Sequence, residues 1–382
     1  MAELELRFYP SIGELPAEVW NGLFGIDYPF TRHEFLSALE EGGCTTKDSG
    51  WQPNHAILYR EDTAIAAMPL YIKSHSYGEY VFDWSWADAY RRHNLDYYPK
   101  LLSAIPFTPA TGPRLAVAEG ENKVEITTIL CAAICDFCTQ QGLSSWHILF
   151  PEKEASERLV AGGLMSRHGS QFHWFNRGYS SFDDFLSGFN SRKRKGLKRE
   201  RRRVAEQGIE LRTLEGSDIS PENWAQFFRF YQITYAKRSG HGGYLSLECF
   251  QALARLMPEQ IVMVLARQGD LNVAGALYFR SGQTLYGRYW GCIKELDCLH
   301  FEACYYQGIE YCIREGLQKF DPGAQGEHKI QRGFEPSKTW SNHWIAHPEF
   351  AAAIDNFTRQ ETDQIEHYIQ QASEYLPFKK PS

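Results

Sequence analysis

Two distant stretches of the chain repeat one pattern of three apolar segments separated by short turns. The first begins at Asn54 with NHAILYRED, TAIAAMPLYIK and EYVFDWSW, and the second begins at Ile261 with IVMVLARQGD, LNVAGALYFR and TLYGRYWG. Apolar runs of this length, bounded by turn-forming residues, are typical of β-strands joined by short loops. Each stretch is therefore predicted to form an antiparallel meander that ends near a tryptophan, Trp84 or Trp290.

The segments that follow the two meanders also correspond. A tyrosine pair occurs in DYYPKLLSAI and again in FEACYYQGIEYCIREG, where apolar residues at three- and four-residue steps predict a helix. A Phe-x-Pro sequence and a glycine-containing loop follow each pair. A strand that is reached through a helix lies parallel to its neighbour. Each copy is thus predicted as a mixed sheet with helices on its faces, and the chain as an α/β (α+β) protein with a duplicated domain.

The duplication predicts two domains, formed by residues 1–170 and 171–382. The length of 382 residues suits two domains of about 150 residues each. The glycine-rich segment LVAGGLMSRHGSQ is the predicted junction between them. The second domain would also contain a basic helix and a C-terminal helix.

Composition excludes several classes of protein. The formal net charge of −7 argues against a general nucleic-acid-binding protein, so phosphate binding would need a local basic surface. No apolar run approaches the roughly 18–20 residues that span a bilayer, and MAELELRFYPSIGELP lacks the features of a signal peptide. We therefore expect a cytoplasmic protein whose nine cysteines are reduced.

A basic segment within SSFDDFLSGFNSRKRKGLKRERRRVAEQGIELRTL is predicted to form one helix, from Ser180 or Ser181 to Gly208. Between positions 192 and 203 there are nine Lys or Arg and one Glu. Cations on one stripe repel each other unless anions lie nearby. Three interpretations follow: a solvated face paired with acidic neighbours, a phosphate-binding surface for a polyanionic donor such as RNA, and a targeting signal. The candidate donor-binding residues are Lys195, Lys198, Arg199 and Arg202.

A glycine-rich loop follows the last predicted strand of the second copy. Its sequence DPGAQGEHKIQRGFEP combines acidic and basic side chains with glycines, which let a backbone approach a ligand closely. Loops past the C-terminal end of a strand are where α/β sheets usually bind ligands. We therefore predict a functional site, with a capped surface turn as the alternative. The candidate catalytic residues are Asp321, Glu327, His328, Lys329 and Arg332.

Further polar and aromatic residues are candidates for substrate binding. In the first copy, FDWSWADAYRRH mixes aromatic residues with carboxylates, which suits an amine-bearing or sugar-like acceptor. Trp84 and Trp86 would instead simply pack if they alternate on a strand. The second copy adds a His-x-Glu pair before its helix. The candidate substrate-binding residues are Asp83, Trp84, Trp86, Asp88, Tyr90, Arg114, Tyr289, His300, Glu302, Tyr306, Gly323, Gln325 and Gly326.

These segments resemble a known family. The chain is similar, along nearly its whole length, to FemAB-like proteins of the GNAT superfamily, a bacterial group labelled as peptidoglycan-biosynthesis proteins or N-acyltransferases. FDWSWADAYRRH, FTPATGPR and GEHKIQRGFEP carry the resemblance most distinctly. It implies tandem GNAT-like domains, each with a mixed, mainly antiparallel sheet flanked by helices. FemAB-type enzymes move an amino acid from aminoacyl-tRNA onto an amine of a cell-wall precursor, and GNAT relatives move an acyl group from acyl-CoA.

The resemblance implies an N-acyltransferase or aminoacyltransferase. Ordinary GNAT enzymes bind the CoA pyrophosphate with a Gln/Arg-x-x-Gly-x-Gly/Ala loop, where this chain has Gly291-Cys292-Ile293-Lys294. FemAB-type proteins also lack that loop, so the aminoacyl donor is favoured. The expected co-substrate is aminoacyl-tRNA or acyl-CoA, with no tightly bound cofactor and no metal. The expected partners are a small-molecule amine and, as a further candidate, tRNA.

In the expected mechanism, the acceptor amine attacks the carbonyl group of the donor. Asp321, Glu327 or His328 would accept the proton of the amine. Lys329 and Arg332 would stabilise the oxyanion or bind donor phosphate. One alternative function is a non-catalytic protein of the same fold that binds nucleic acid or nucleotides. The other is a metal-dependent hydrolase with the ligand set His300, Glu302, Glu327 and His328.

Overall fold

The computed structural model of the chain describes residues 4–324 and 326–379. None of the helices in these two segments combines the length and the apolar composition that a membrane-spanning helix needs. The chain divides into two compact units. The first consists of Met1–Ser170 and Lys338–Tyr368, and the second consists of Gln171–Ser337 and Ile369–Ser382.

The secondary structure is numbered in chain order. The strands are β1 Leu4–Tyr9, β2 Trp51–Pro53, β3 His55–Arg60, β4 Thr63–Met68, β5 Tyr71–Lys73, β6 Lys100–Ser103, β7 Ala116–Val117, β8 Ser145–Leu149, β9 Met165–Phe175, β10 Ile209–Glu215, β11 Ile261–Gln268, β12 Leu271–Arg280, β13 Thr284–Cys292, β14 Lys319–Asp321 and β15 Glu335–Ile345. The α-helices are α1 Ala17–Phe24, α2 His33–Glu41, α3 Trp84–Arg92, α4 Lys123–Gln140, α5 Lys153–Ala161, α6 Phe182–Ser187, α7 Ser191–Glu206, α8 Pro221–Ser239, α9 Leu247–Leu256, α10 Leu299–Phe301, α11 Gln307–Glu315 and α12 Pro348–Glu374.

The sheet of the second unit has the strand order β10-β11-β12-β13-β14-β9. Neighbours are antiparallel except β13 and β14, which are parallel and are connected through α10 and α11. The meander predicted from Ile261 and the parallel strand after its helix are therefore confirmed. Helix α8 packs closely on β13: a Cβ atom at Gly291 would lie 2.1 Å from the backbone carbonyl carbon of Phe230. Only glycine allows this approach of helix and strand.

The strands of the first unit follow the same order across the sheet as those of the second unit, but several of them are interrupted. One sheet has the order β1-β3-β4-β7, and β15-β8-β6-β5-β2 form a second row. Only β6 and β8 are parallel among the strand pairs described for this unit. The pairs β2/β3, β4/β5 and β6/β7 thus correspond to three interrupted strands, and with them the strand order matches that of the second unit. Because β15 pairs with β8, residues 338–368 belong to this unit, whereas the predicted boundaries put them in the second domain.

Two predicted elements are wrong. EYVFDWSW does not form a third strand, because α3 begins at Trp84, so Trp84 and Trp86 do not alternate on a strand. The basic segment forms two helices, α6 and α7, because the side chain of Asn190 caps α7 by accepting from the backbone N–H of Lys193. The expected start at Ser181 is confirmed, since its hydroxyl accepts from the N–H of Asp184. The chain passes from the first unit to the second between Ser170 and Gln171, which lies within the predicted glycine-rich junction, and β9 runs through this position.

Candidate functional site

The glycine-rich loop after β14 contains a 3-10 turn, Glu327–Arg332, between two glycines with positive φ. The φ angles of Gly326 and Gly333 are 110° and 85°. A Cβ atom at Gly326 would lie 2.4 Å from Cε1 of His328, so any other residue would displace that ring. Glu327 and His328 are exposed on the turn. The candidate Gln325 lies outside the described residues.

Asp321 at the end of β14 forms a buried ion pair with Arg288 of β13. Its carboxylate accepts from Nη2 of Arg288 at 2.9 Å and from the backbone N–H of Gly323 at 2.9 Å. Burial alone would raise the pKa of Asp321, but Arg288 and then His173 outweigh it and hold the pKa well below its usual range. Asp321 therefore stays ionised and holds the start of the loop. Proton acceptance by Asp321 stays a prediction, which this geometry disfavours.

His328 is the histidine that the loop presents to solvent. Its Nε2 lies 2.9 Å from the hydroxyl oxygen of Tyr305. Partial burial, followed by the charges of Lys329 and Arg332, lowers the pKa of His328. The ring is therefore neutral at neutral pH, and a neutral imidazole has one nitrogen that can accept a proton.

Lys329 follows His328 but points into the protein. Its side-chain nitrogen donates to the carbonyl oxygens of Gly323 at 2.7 Å and Ala324 at 3.4 Å. Burial, which the carboxylate of Asp321 opposes, lowers the pKa of Lys329 to about 8. The ammonium group is thus mostly charged at neutral pH and loses its charge slightly above it.

Arg332 at the end of the turn is buried and has four different partners. Its Nε donates to the hydroxyl of Tyr306 at 3.1 Å, and its Nη1 donates to the backbone carbonyl of His328 at 2.8 Å. Its Nη2 lies 3.0 Å from both carboxylate oxygens of Glu200. The guanidinium carbon is also 3.5 Å from the ring centre of Phe301. These contacts fix the guanidinium in one position.

The helix between β13 and β14 is interrupted by a π-helical turn, Glu302–Tyr306. Such turns insert an extra residue into an α-helix and occur frequently at functional sites. Tyr305 of this turn contacts His328, and Tyr306 contacts Arg332. The candidate Glu302 is instead buried against Arg201, whose Nη2 and Nε donate to its two oxygens at 2.9 and 3.1 Å.

A cavity of about 140 Å³ lies at the end of β13. Its lining includes the rings of Trp290 and His300 and the cations Lys237, Arg238 and Lys294. Over the described ranges, Arg238 has neither a hydrogen bond nor an ion pair, whereas the two lysines bond to neighbouring side chains. Burial, followed by the charge of Arg238, lowers the pKa of His300 to about 3, so this ring is neutral. The cavity therefore has an available cation beside a neutral histidine.

Two other candidates of the second unit make packing contacts within it. Tyr289 is buried, with its ring edge-on to Tyr231 and Phe250 at centroid distances of 5.6 and 5.9 Å. Gly323 has a φ of 91°, and a Cβ atom there would approach the carbonyl oxygen of Gly287 to 3.3 Å. A role of Tyr289 and Gly323 in binding substrate stays a prediction.

Four candidates of the first unit are buried: Asp83, Trp86, Tyr90 and Arg114 are at most 5% exposed. Asp83 accepts from the ammonium group of Lys100 at 2.5 Å. Arg114 donates to three backbone carbonyl groups at 2.6, 2.8 and 3.2 Å. Asp83 and Arg114 thus have polar partners in the interior of the unit, and a binding role for the four residues stays a prediction.

Two candidates of α3 are accessible. Trp84 is 42% exposed and lies 5.1 Å, between ring centres, from the exposed ring of Tyr77. Asp88 forms ion pairs with Arg91 and Arg92. Of the candidate substrate-binding residues in this unit, these two have surface that a ligand could reach.

Helix α7 carries the four donor-binding candidates on its exposed side. Lys198 pairs with Asp183 at 2.7 Å, and both side chains are at least half exposed. Within residues 4–324 and 326–379, no acidic side chain pairs with Lys195, Arg199 or Arg202. The solvated-face interpretation thus applies to Lys198, and three of the four candidates are left for a ligand.

Several site residues were not predicted from the sequence. Glu200 and Arg201 lie within the basic segment but contact Arg332 and Glu302. A single acid in a run of cations was the signal that could have identified Glu200. Arg238 gave no sequence signal. Among the described positions, no three His, Cys, Asp or Glu side chains come together as a metal site, so the four proposed ligands are not assembled.

Comparisons with known proteins cover nearly the whole chain. The model of the FemAB-like family, described as peptidoglycan biosynthesis/recognition, matches residues 11–380. No curated protein sequence matches the chain. Among solved structures, the chain is similar to FemX, with 14% identity and a TM-score of 0.53 over 92% of this chain and 100% of that chain.

Two further structures are similar over the same length. A conserved protein of unknown function from Bacteroides thetaiotaomicron has 9% identity and a TM-score of 0.53, over 89% of this chain and 99% of that chain. A tandem GNAT protein from the clavulanic acid biosynthesis pathway has 10% identity and a TM-score of 0.48, over 91% and 99%. Together with the strand order of both units, the likeness to FemX confirms the predicted fold class.

Proposed function

The chain belongs to the FemAB-like family, which makes it a transferase, and we propose that it moves an aminoacyl or acyl group from an activated donor to an amine. One observation carries the proposal. A neutral histidine, a buried lysine and a fixed arginine lie on one turn of the second unit, at His328, Lys329 and Arg332. A proton acceptor and a cation that stabilises an oxyanion are groups that promote amide formation from an activated carbonyl.

We assign proton acceptance to His328. The nitrogen of the acceptor amine forms a bond to the donor carbonyl carbon, and the amine proton passes to the unprotonated ring nitrogen of His328. When the tetrahedral intermediate collapses, the donor oxygen or sulfur leaves and takes this proton. The lowered pKa of His328 keeps the ring unprotonated and ready at neutral pH.

We assign stabilisation of the oxyanion to Lys329. Its ammonium group uses two of its three donors on the carbonyl oxygens of Gly323 and Ala324, which leaves one donor for a ligand. A buried cation with a fixed direction stabilises developing negative charge more strongly than one in water. Arg332 has most of its donors occupied, so it acts mainly by holding the turn.

We propose aminoacyl-tRNA as the donor and keep acyl-CoA as the alternative. The support is the number of available cations in the second unit: Arg238 at the cavity, and Lys195, Arg199 and Arg202 on α7. A row of exposed cations suits the extended phosphate backbone of a polynucleotide. The family description favours a cell-wall precursor as the amine acceptor. Contact of Trp84 and Asp88 with that acceptor stays a prediction.

The decisive experiment incubates the purified protein with labelled aminoacyl-tRNAs and acyl-CoAs in the presence of amine-bearing cell-wall precursors. Replacing His328 with Asn should lower the transfer rate by about 100-fold or more, the usual effect of removing a general base. RNA affinity should not change, since His328 is not among the proposed phosphate contacts. Full transfer by this variant would remove His328 from the mechanism, and RNA binding without any transfer would favour the non-catalytic alternative.

A further inference from the structure

Glu200 is the one acidic residue between positions 192 and 203, and it lies on the inner side of α7. Both of its carboxylate oxygens accept from Nη2 of Arg332 at 3.0 Å. One of them also accepts a hydrogen bond from the hydroxyl of Tyr306, which in turn accepts from Nε of Arg332. Glu200, Tyr306 and Arg332 therefore form a closed ring of hydrogen bonds.

This ring is connected to His328 by two routes. Nη1 of Arg332 donates to the backbone carbonyl of His328 at 2.8 Å, which fixes the main chain at that residue. Tyr305 precedes Tyr306 in the π-helical turn, and its hydroxyl oxygen lies 2.9 Å from Nε2 of His328. Thus the main chain and the ring of His328 are both held by residues in or next to the Glu200 ring.

Removal of the Glu200 charge would leave Arg332 buried without a counter-charge. The side chain of Arg332 is 7% exposed, and Glu200 is its ion-pair partner. An uncompensated buried cation moves toward water or another acceptor, because desolvation of an unpaired charge is strongly unfavourable. Either movement would break the bond from Nη1 to the His328 carbonyl.

We infer that Glu200 is a positioning residue, which holds the guanidinium of Arg332 and thereby places His328 for proton transfer. The inference rests on the proposed function of His328. Glu200 itself does not touch the reacting atoms. A residue with this role affects the rate of the chemical step more than the binding of the donor.

The test compares Glu200→Gln with Glu206→Gln, the matched change at the exposed last residue of the same helix. We expect E200Q to lower kcat by about 10- to 100-fold, the scale on which a small displacement of a catalytic group acts. KM for the donor should stay within about threefold, because the proposed donor contacts are unchanged. E206Q should behave as the unaltered protein in both respects.

A second measurement does not depend on activity. Phenylglyoxal labels accessible arginines, and mass spectrometry reports the rate at Arg332. We expect labelling of Arg332 to be several-fold faster in E200Q and unchanged in E206Q. If E200Q does not fold, Tyr306→Phe removes the bridging hydroxyl and should also accelerate labelling while lowering kcat.

Each outcome decides one question. Normal kcat in a folded E200Q protein, or unchanged labelling of Arg332, would overturn the inference and leave the proposed function intact. A rise in KM at unchanged kcat would also overturn it, since that result indicates donor binding. An unaltered protein that transfers nothing from any donor would instead refute the proposed function, and with it the catalytic meaning of Glu200.

Discussion

Replacing Asp321 with Asn should destabilise the second unit by about 3–5 kcal/mol, the usual effect of breaking a buried ion pair from one side. The side chains of Asp321 and Arg288 are 1% and 2% exposed, so water cannot replace the lost charge. Nη2 and Nη1 of Arg288 lie 2.9 and 3.3 Å from the two carboxylate oxygens. An asparagine could accept from one of these nitrogens but would present its amide N–H groups to the other.

The ion pair also predicts a pH dependence. The pKa of Asp321 is lower in the folded protein than in the unfolded chain. Its stabilising contribution is therefore complete above the unfolded pKa, about 3.9, and is lost as the pH falls through the folded value. The Asp321→Asn protein has no carboxylate to titrate at this position. The difference in free energy of unfolding between it and the unaltered protein should therefore become smaller below about pH 4.

Hydrogen exchange in increasing urea, followed by mass spectrometry of peptides from β13 and β14, measures the stability of this unit by itself. The control is Glu335→Gln, which breaks the exposed pair between Arg177 and Glu335 in the same unit. This pair joins Nη2 to Oε1 at 2.6 Å, but the arginine side chain is 60% exposed, so we expect a loss below about 1 kcal/mol. A loss for Asp321→Asn as small as that of the control would refute the reasoning.

Further predictions concern the turn and the basic helix. The rate of transfer should rise with pH through the pKa of His328, which lies below its usual value, because the base must be unprotonated; a kcat/KM profile measures this limb. The rate should fall again above about pH 8 as Lys329 loses its proton, and Lys329→Met should abolish transfer at every pH. Gly326→Ala should lower kcat by about tenfold or more without loss of the fold, because the new methyl group displaces the His328 ring. The double variant Arg199→Ala and Arg202→Ala should reduce the slope of log affinity for tRNA against log salt by about 1.5, and an unchanged slope would reject phosphate contact.

The second unit could be predicted from the sequence because its strands are continuous. Its three central strands are apolar runs of eight to ten residues, joined by short turns, and the helix that follows has a clear apolar face. The first unit follows the same strand order, but Pro53 ends β2 and Pro69 separates β4 from β5. Proline lacks the N–H group that a strand ladder needs. The apolar runs of β3 and β4 still predict two strands, but the next strand, β6, comes only after α3, so the run EYVFDWSW was wrongly predicted as the third strand.

The loop of the candidate site could be predicted because charge and glycine coincide in it, whereas its supporting residues could not. Glycine-rich polar loops are visible as composition, but the partner of a buried charge depends on the tertiary structure. The sequence predicts that Asp321 follows a strand, but its ion pair with Arg288 depends on the pairing of β13 with β14, which the sequence does not show. Arg288 itself lies in a strand whose sequence shows only an isolated cation.

Helix α7 separates two roles by geometry. At about 100° per residue, the four candidate donor contacts fall within about 100° of arc, and the opposite arc holds Glu200, Arg201, Leu197 and Val204. Leu197 and Val204 are buried, so they fix the rotation of the helix about its axis. Glu200 and the exposed cations are thus parts of one rigid element, one side of which holds Arg332 while the other is open to a polyanion. Changes on the outer side should therefore alter the salt dependence of binding with kcat unchanged, and changes at Glu200 should do the reverse, because the helix keeps its orientation in both cases.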